Sequence, residues 1–255
     1  GTSYKDKRAK TIVAIEKQIE EAYPDWEVRR AFTSRMIIKK LAQRDGEKID
    51  YISEAIERLI LDGIKTVVIQ PTLITNGTEY DDIAKIVSEY RCNFHSLSLG
   101  KPLLTSNEDY GCVADTIERT LIPEAESIAG KGTAVIMMGH GSEHYANSSY
   151  SQLYLKLLLS GFPNVFITTV EGFPDFDDTI ALMENRGYKD VVLFPFMLVA
   201  GDHANNDMAG EEEDSLRSVM EGRGYNVNAV VKGMGEYIEF RDLFLAHVKD
   251  AMESL

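Results

Sequence analysis

The sequence has little of what marks the easily read protein classes. Two cysteines, Cys92 and Cys112, stand far apart in 255 residues; that is neither a disulfide framework nor a CxxC-type thiolate metal site. Cations are scarce, 27 Lys and Arg against 41 Asp and Glu for a formal net charge of −14. A nucleic-acid binder needs the opposite balance, because its affinity rests on neutralising phosphates. There is no run of about 18 apolar residues, so nothing reads as a membrane span. GxGxxG and GK[ST] are both absent, which leaves nucleotide binding without support. "GHGS" (139–142) is not the GxSxG of a hydrolase, and no Cys or Ser stands beside a histidine base. No signal-peptide pattern opens the chain, although it begins at "GTSYKDKRAK" without Met. The expectation is a cytoplasmic protein, with a periplasmic one left open because the natural start could precede this residue.

What is present is ordinary in bulk and ordered in detail. The chain is 44% hydrophobic and 27% charged, with no low-complexity tract. Helix-like and strand-like patterns alternate from end to end. Residues 5–22 read as an amphipathic helix, 26–34 as a strand, 51–63 as a helix stopped by Gly63, 65–74 as a strand, 78–90 as a helix, 94–100 as a strand and 108–121 as a helix. The order then restarts: strand 133–139, helix 146–160, strand 164–172, helix 176–186, strand 190–199, helix 211–223, strand 226–232, helix 237–253. That alternation predicts βαβ units around mainly parallel sheets, one in each of two halves, 1–125 and 126–255.

The restart is an internal repeat. "TVVIQPTLITNGTEYDDI" (66–83) lies over "DVVLFPFMLVAGDHANND" (190–207) without a gap, so that Val67-Val68 meets Val191-Val192, Pro71 meets Pro195, Gly77 meets Gly201 and Glu79 meets His203. "GTSY" at the start matches "GHGS", each opening a helix, although nothing precedes the first to form the strand that precedes the second. Two such halves are expected to face each other with their strand C-termini at a shared cleft, where open α/β sheets bind ligands.

Three strand exits of the second half carry the chemistry. "MMGHGSEH", "TTVEGFPD" and "LVAGDHANND" present His140, Glu171 and His203, with His144 and Asp202 as neighbours. Two imidazoles and a carboxylate on one rim make a normal ligand set for a divalent first-row metal such as Co²⁺, Ni²⁺ or Zn²⁺. Their spacing is not a local motif, so unrelated loop histidines are the other reading. His95 and His247 fall within a strand and a helix and read as structural. One basic stretch, "AFTSRMIIKKLAQRDG" (31–46), places Arg35 and Lys39 on a helix behind Ser34, where an anion could bind, while Lys40 and Arg44 read as a solvated face.

These residues together resemble a known family. "AFTSRMIIKKL.QRDG", "NG.EYDDI", "LG.PLL.S..DY", "MGHGS.H", "VEGFPD" and "LVAGDHANNDMAG" are similar to the anaerobic-type sirohydrochlorin cobalt chelatases, class II tetrapyrrole chelatases of the two-half ferrochelatase-like fold, over essentially the whole chain. The resemblance implies insertion of Co²⁺ into sirohydrochlorin, with iron or nickel insertion on the same ring, or a two-lobed metal or tetrapyrrole carrier without turnover, as alternatives. It places the family's metal-binding histidines on His140 and His203, their carboxylate partner on Glu171, and an acid of the opposite wall on Glu79. Arg35 and Lys39 are then expected to serve the substrate carboxylates, and Met137, Met138, Phe196 and Met197 its apolar faces. No organic cofactor is implied: Co²⁺ is the substrate metal, Ni²⁺, Fe²⁺ or Zn²⁺ being in vitro substitutes. The partner is the small tetrapyrrole, with no nucleic acid and no membrane; a homo-oligomer stays open.

Overall fold

The computed structural model describes residues 4–255, so the expected Gly-Thr-Ser turn at residues 1–3 lies outside the described residues. The first half runs α1 (Lys5–Lys10), α2 (Ile12–Ala22), β1 (Ala31–Phe32), α3 (Arg35–Asp45), β2 (Asp50–Tyr51), α4 (Ile52–Leu61), β3 (Thr66–Ile69), α5 (Thr78–Tyr90) and β4 (Ser96–Leu99). Next come α6 (Asn107–Arg119) and α7 (Leu121–Ala129). The second half runs β5 (Ala134–Gly139), α8 (Ser148–Leu159), β6 (Val165–Thr169), α9 (Phe176–Met183), β7 (Asp190–Pro195), α10 (Leu216–Gly222), β8 (Asn226–Ala229) and α11 (Ile238–Glu253).

The second half is one parallel sheet in the order β6-β5-β7-β8. Every residue of β5 and β6 is buried, which is why these strands are apolar or hydroxylic throughout rather than alternating: helices cover both faces. Val135 and Met137 of β5 and Val192 and Phe194 of β7 face a core shared with α6, α7, α8 and α11. Ala134, Ile136 and Met138 face the opposite core, closed by Ile180 and Met183 of α9 and by Leu216 and Met220 of α10. Parallel strands in such a sheet all exit on one edge, and that edge carries the site.

The first half differs from the expected single sheet. Its strands form two separate parallel pairs, β1–β2 and β3–β4. β1 is two residues long instead of nine: its partner β2 is itself two residues long, so only Ala31 and Phe32 find ladder partners, Asp50 and Tyr51. The expected helix over 5–22 breaks at Thr11, whose hydroxyl donates back to the Lys7 carbonyl at 2.6 Å and competes with the helical ladder. The expected helix over 211–223 starts only at Leu216: Glu211 to Asp214 are four successive acids, and Ser215 supplies the cap, its hydroxyl accepting from the Ser218 N–H at 3.1 Å. Among the described residues no helix is long and apolar enough to cross a membrane.

Candidate active site

β5 ends in Gly139-His140-Gly141, and both glycines are there for space. A Cβ on Gly139 would stand 2.3 Å from the ring of Tyr150, and one on Gly141 would stand 2.2 Å from the Glu171 carbonyl oxygen. Gly141 also has φ +78°, the left-handed region that favours glycine. This close approach locks the β5 and β6 exits together: the Glu171 N–H donates to the His140 carbonyl at 2.8 Å, and Asn147 spans them by accepting from the Ser142 N–H at 3.0 Å and donating to the Phe173 carbonyl at 2.7 Å. Beneath the turn, burial pushes the Tyr150 phenol up, against the backbone N–H groups of His140 and Gly141 that it meets.

The two predicted histidines come together. His140 leaves β5, His203 opens the π-helical segment Ala204–Met208 that follows β7, and their rings meet edge to face with centroids 4.7 Å apart. Each Nδ1 faces an acceptor: the Gly141 carbonyl at 3.0 Å for His140 and Asp207 Oδ2 at 2.9 Å for His203. A neutral ring in that setting protonates Nδ1 and leaves the lone pair on Nε2, the atom through which either imidazole could hold a metal. Glu171 stands with Oε2 3.9 Å from His140 Nδ1, on the side away from the donating nitrogen. Among the described residues no three His, Cys, Asp or Glu side chains already form a metal-binding group. What the fold brings together is a two-imidazole pair with an exposed carboxylate alongside.

These groups open onto a cavity of about 1150 Å³ lined by both halves, including Glu79, His140, Glu171 and His203. Its volume is at the upper end of small-molecule sites and suits a macrocycle. Glu79, in the first turn of α5, accepts from the Thr33 hydroxyl at 2.6 Å. Met197 lines the cavity as expected, and Phe196 backs that wall from the core, fully buried; Met137 and Met138 are fully buried on the two faces of β5 and away from it. Arg35 and Lys39 are exposed and outside the lining, although Met36 between them belongs to it. The Arg35 guanidinium lies 3.9 Å from the centroid of the Tyr51 ring and 3.6 Å from Glu54. Sequence reasoning missed Asp207, Thr33 and Tyr150. Only Asp207 left a signal, its four-residue spacing from His203.

A parallel α/β architecture with two imidazoles paired at the strand exits over a cleft of about 1150 Å³ sets groups of metal-ligand type beside room for a large ligand. The comparisons with known proteins narrow this: the Cobalt chelatase (CbiK) family matches residues 1–253, and the chain belongs to it. The sirohydrochlorin cobaltochelatase of Salmonella typhimurium is 38% identical over 252 residues, 99% of this chain and 93% of that one. The sirohydrochlorin cobaltochelatase CbiKC of Nitratidesulfovibrio vulgaris is 31% identical over 247 residues, 96% and 86% of the two chains. A solved structure of SirB from Bacillus subtilis with Fe³⁺ aligns with TM-score 0.64 over 100% of this chain and 93% of that one; at 14% identity it speaks for the fold alone.

Proposed function

We propose that the chain inserts Co²⁺ into sirohydrochlorin, a step of anaerobic cobalamin synthesis. The observation that carries this is the His140–His203 pair, rings 4.7 Å apart with both Nδ1 atoms tied to acceptors, at the mouth of the shared cavity. The reaction exchanges two pyrrole N–H protons for one divalent ion, so neither an oxidant nor a nucleotide is needed. The two Nε2 atoms hold Co²⁺, and Glu171 rotates in as third ligand. Fewer than four protein ligands keep a position open for the ring nitrogens, as in catalytic rather than structural metal sites. Glu79, held by Thr33 on the α5 wall of the same cavity, accepts one pyrrole proton, and the second goes to an imidazole whose Nε2 is freed as Co²⁺ passes to the ring. Met197, partly buried on the cavity lining, offers apolar area to the macrocycle faces. Arg35 and Lys39 serve its carboxylates from the rim.

The test is the absorbance of sirohydrochlorin mixed with Co²⁺, Ni²⁺ and Fe²⁺ in parallel, with and without the protein. Acceleration with Co²⁺ is expected, and its loss in His203→Ala with an unchanged thermal transition. Tight binding without turnover would make the chain a carrier, and faster insertion of iron or nickel would reassign the metal. If His203→Ala keeps more than about a tenth of kcat, a barrier change under ~1.4 kcal/mol, the histidine is not in the chemistry.

A further inference from the structure

His144 and Asp81 lie outside the cavity lining and outside the roles assigned above, yet they join its two walls. His144 follows the β5 exit by four residues, on the turn that Ser142 and Asn147 fix beside Glu171. Its Nδ1 accepts the Ala146 N–H at 3.2 Å, so the proton of the neutral ring sits on Nε2, which stands 3.3 Å from Asp81 Oδ2. The imidazole is largely buried, 16% exposed, and its ring packs on Tyr145 with centroids 4.1 Å apart; it is held in place before Asp81 reaches it. Asp81 is in the first turn of α5, two residues beyond Glu79. This close polar contact therefore joins the element carrying Glu79 to the turn carrying His140.

We infer that the Asp81–His144 contact is an interlobe tie that sets the gap between Glu79 and the metal-binding histidines, and so the fit of the macrocycle between them. Both are positioning residues. The inference rests on the chelatase reading for its kinetic consequence but not for its structural one. Loss of the tie leaves the His140–His203 pair intact, because neither ring leans on His144 or Asp81. It frees the α5 wall, so the cost falls on the ring substrate and not on the ion.

The experiment uses the two native cysteines, both free and exposed. Cys92 follows the end of α5 opposite Asp81, and Cys112 lies on α6, which packs against α8 directly beyond the His144 turn. Spin labels on this pair report the separation of the two walls. Asp81→Ala and His144→Ala are expected to lengthen or broaden that distance and to raise KM for sirohydrochlorin several-fold, the scale of a pair with one partner half exposed. Co²⁺ affinity and the thermal transition should stay as in the parent protein. Asp81→Asn and His144→Gln keep a polar atom of similar reach at each end of the contact, and both should stay nearer the parent distance and KM than the alanine variants. Unchanged distances in both alanine variants, an unchanged KM, or an Asp81→Asn that behaves as Asp81→Ala would each overturn the tie. If the parent protein inserts no metal at all, the chelatase reading fails on its own, and the distances together with the Kd for sirohydrochlorin still decide the tie.

Discussion

Asp207 accepts a hydrogen bond from His203 Nδ1 at 2.9 Å, four residues along the same segment. A carboxylate behind a ligating imidazole fixes its tautomer and orientation and raises its basicity, and loss of such a partner costs about 10–100-fold in metal affinity. Asp207→Ala should therefore weaken Co²⁺ binding by about tenfold or more, read from the d–d absorbance in a direct titration, while the thermal transition stays put. Asp207→Asn, which keeps an acceptor oxygen, should fall between. Equal affinity in all three proteins would show that Asp207 does not orient His203.

Arg35 makes a weak contact that a substrate can replace. Its pair with Glu54 is long, 3.6 Å, and both side chains are more than half exposed, 67% and 52%; such pairs are worth under about 1 kcal/mol. A carboxylate of the tetrapyrrole offers a charge-assisted, bidentate alternative. Arg35→Ala should raise KM several-fold with kcat unchanged, and Arg35→Lys, which keeps the charge but loses the fork, should recover only part. An unchanged KM in steady-state assays would return Arg35 to the solvated face.

The half with the long buried strands was the readable one. β5, β6 and β7 lie between helices on both faces, so their apolar runs stand out wherever the chain is scanned. β1 and β2 have two residues each, too few for any periodicity, and β2 left no trace in the pattern. The repeat was visible because Pro71 and Pro195 stand at the ends of matching strands, with Gly77 and Gly201 six residues beyond them. It led directly to His203, whose counterpart is Glu79. The partners were hidden for a different reason. Thr33–Glu79 and Asp81–His144 join residues 46 and 63 positions apart, and no local spacing encodes such a pair. Asp207 was legible in principle, at helical spacing from His203.

Acid should weaken the fold through Asp109. Burial alone would raise this carboxyl, but the Ser106 backbone N–H at 2.6 Å, His247 Nε2 at 3.0 Å and the Ser106 side chain outweigh it and hold it below the usual aspartate value. A folded-state value below the unfolded one gives stability that is fully present above the unfolded pKa and lost as pH falls through the folded one. Asp109→Asn should thus lower Tm at neutral pH, and the gap to the parent protein should narrow from about pH 5 to about pH 3. A gap that stays constant across that window, followed by circular dichroism, would remove Asp109 from the acid response.

Gly141 and Gly46 separate backbone strain from close approach. Both have positive φ, +78° and +67°, but a Cβ on Gly46 meets nothing within 4 Å, whereas one on Gly141 meets the Glu171 carbonyl oxygen at 2.2 Å and Thr169 Cβ at 2.7 Å. Gly46→Ala, at the end of α3, should cost only the left-handed strain of about 1–2 kcal/mol and leave metal insertion untouched. Gly141→Ala carries the same strain and must also push the β5 and β6 exits apart. Backbone is what it strikes, and backbone held by the bond from the Glu171 N–H to the His140 carbonyl does not yield by a side-chain rotation. His140 and Glu171 move with those exits, so Gly141→Ala should lose far more stability than Gly46→Ala and at least tenfold in kcat for cobalt insertion, the equivalent of about 1.4 kcal/mol in the barrier. Equal Tm losses in the two variants, or a Gly141→Ala protein with parent kcat, would show that the two exits do not need each other's position.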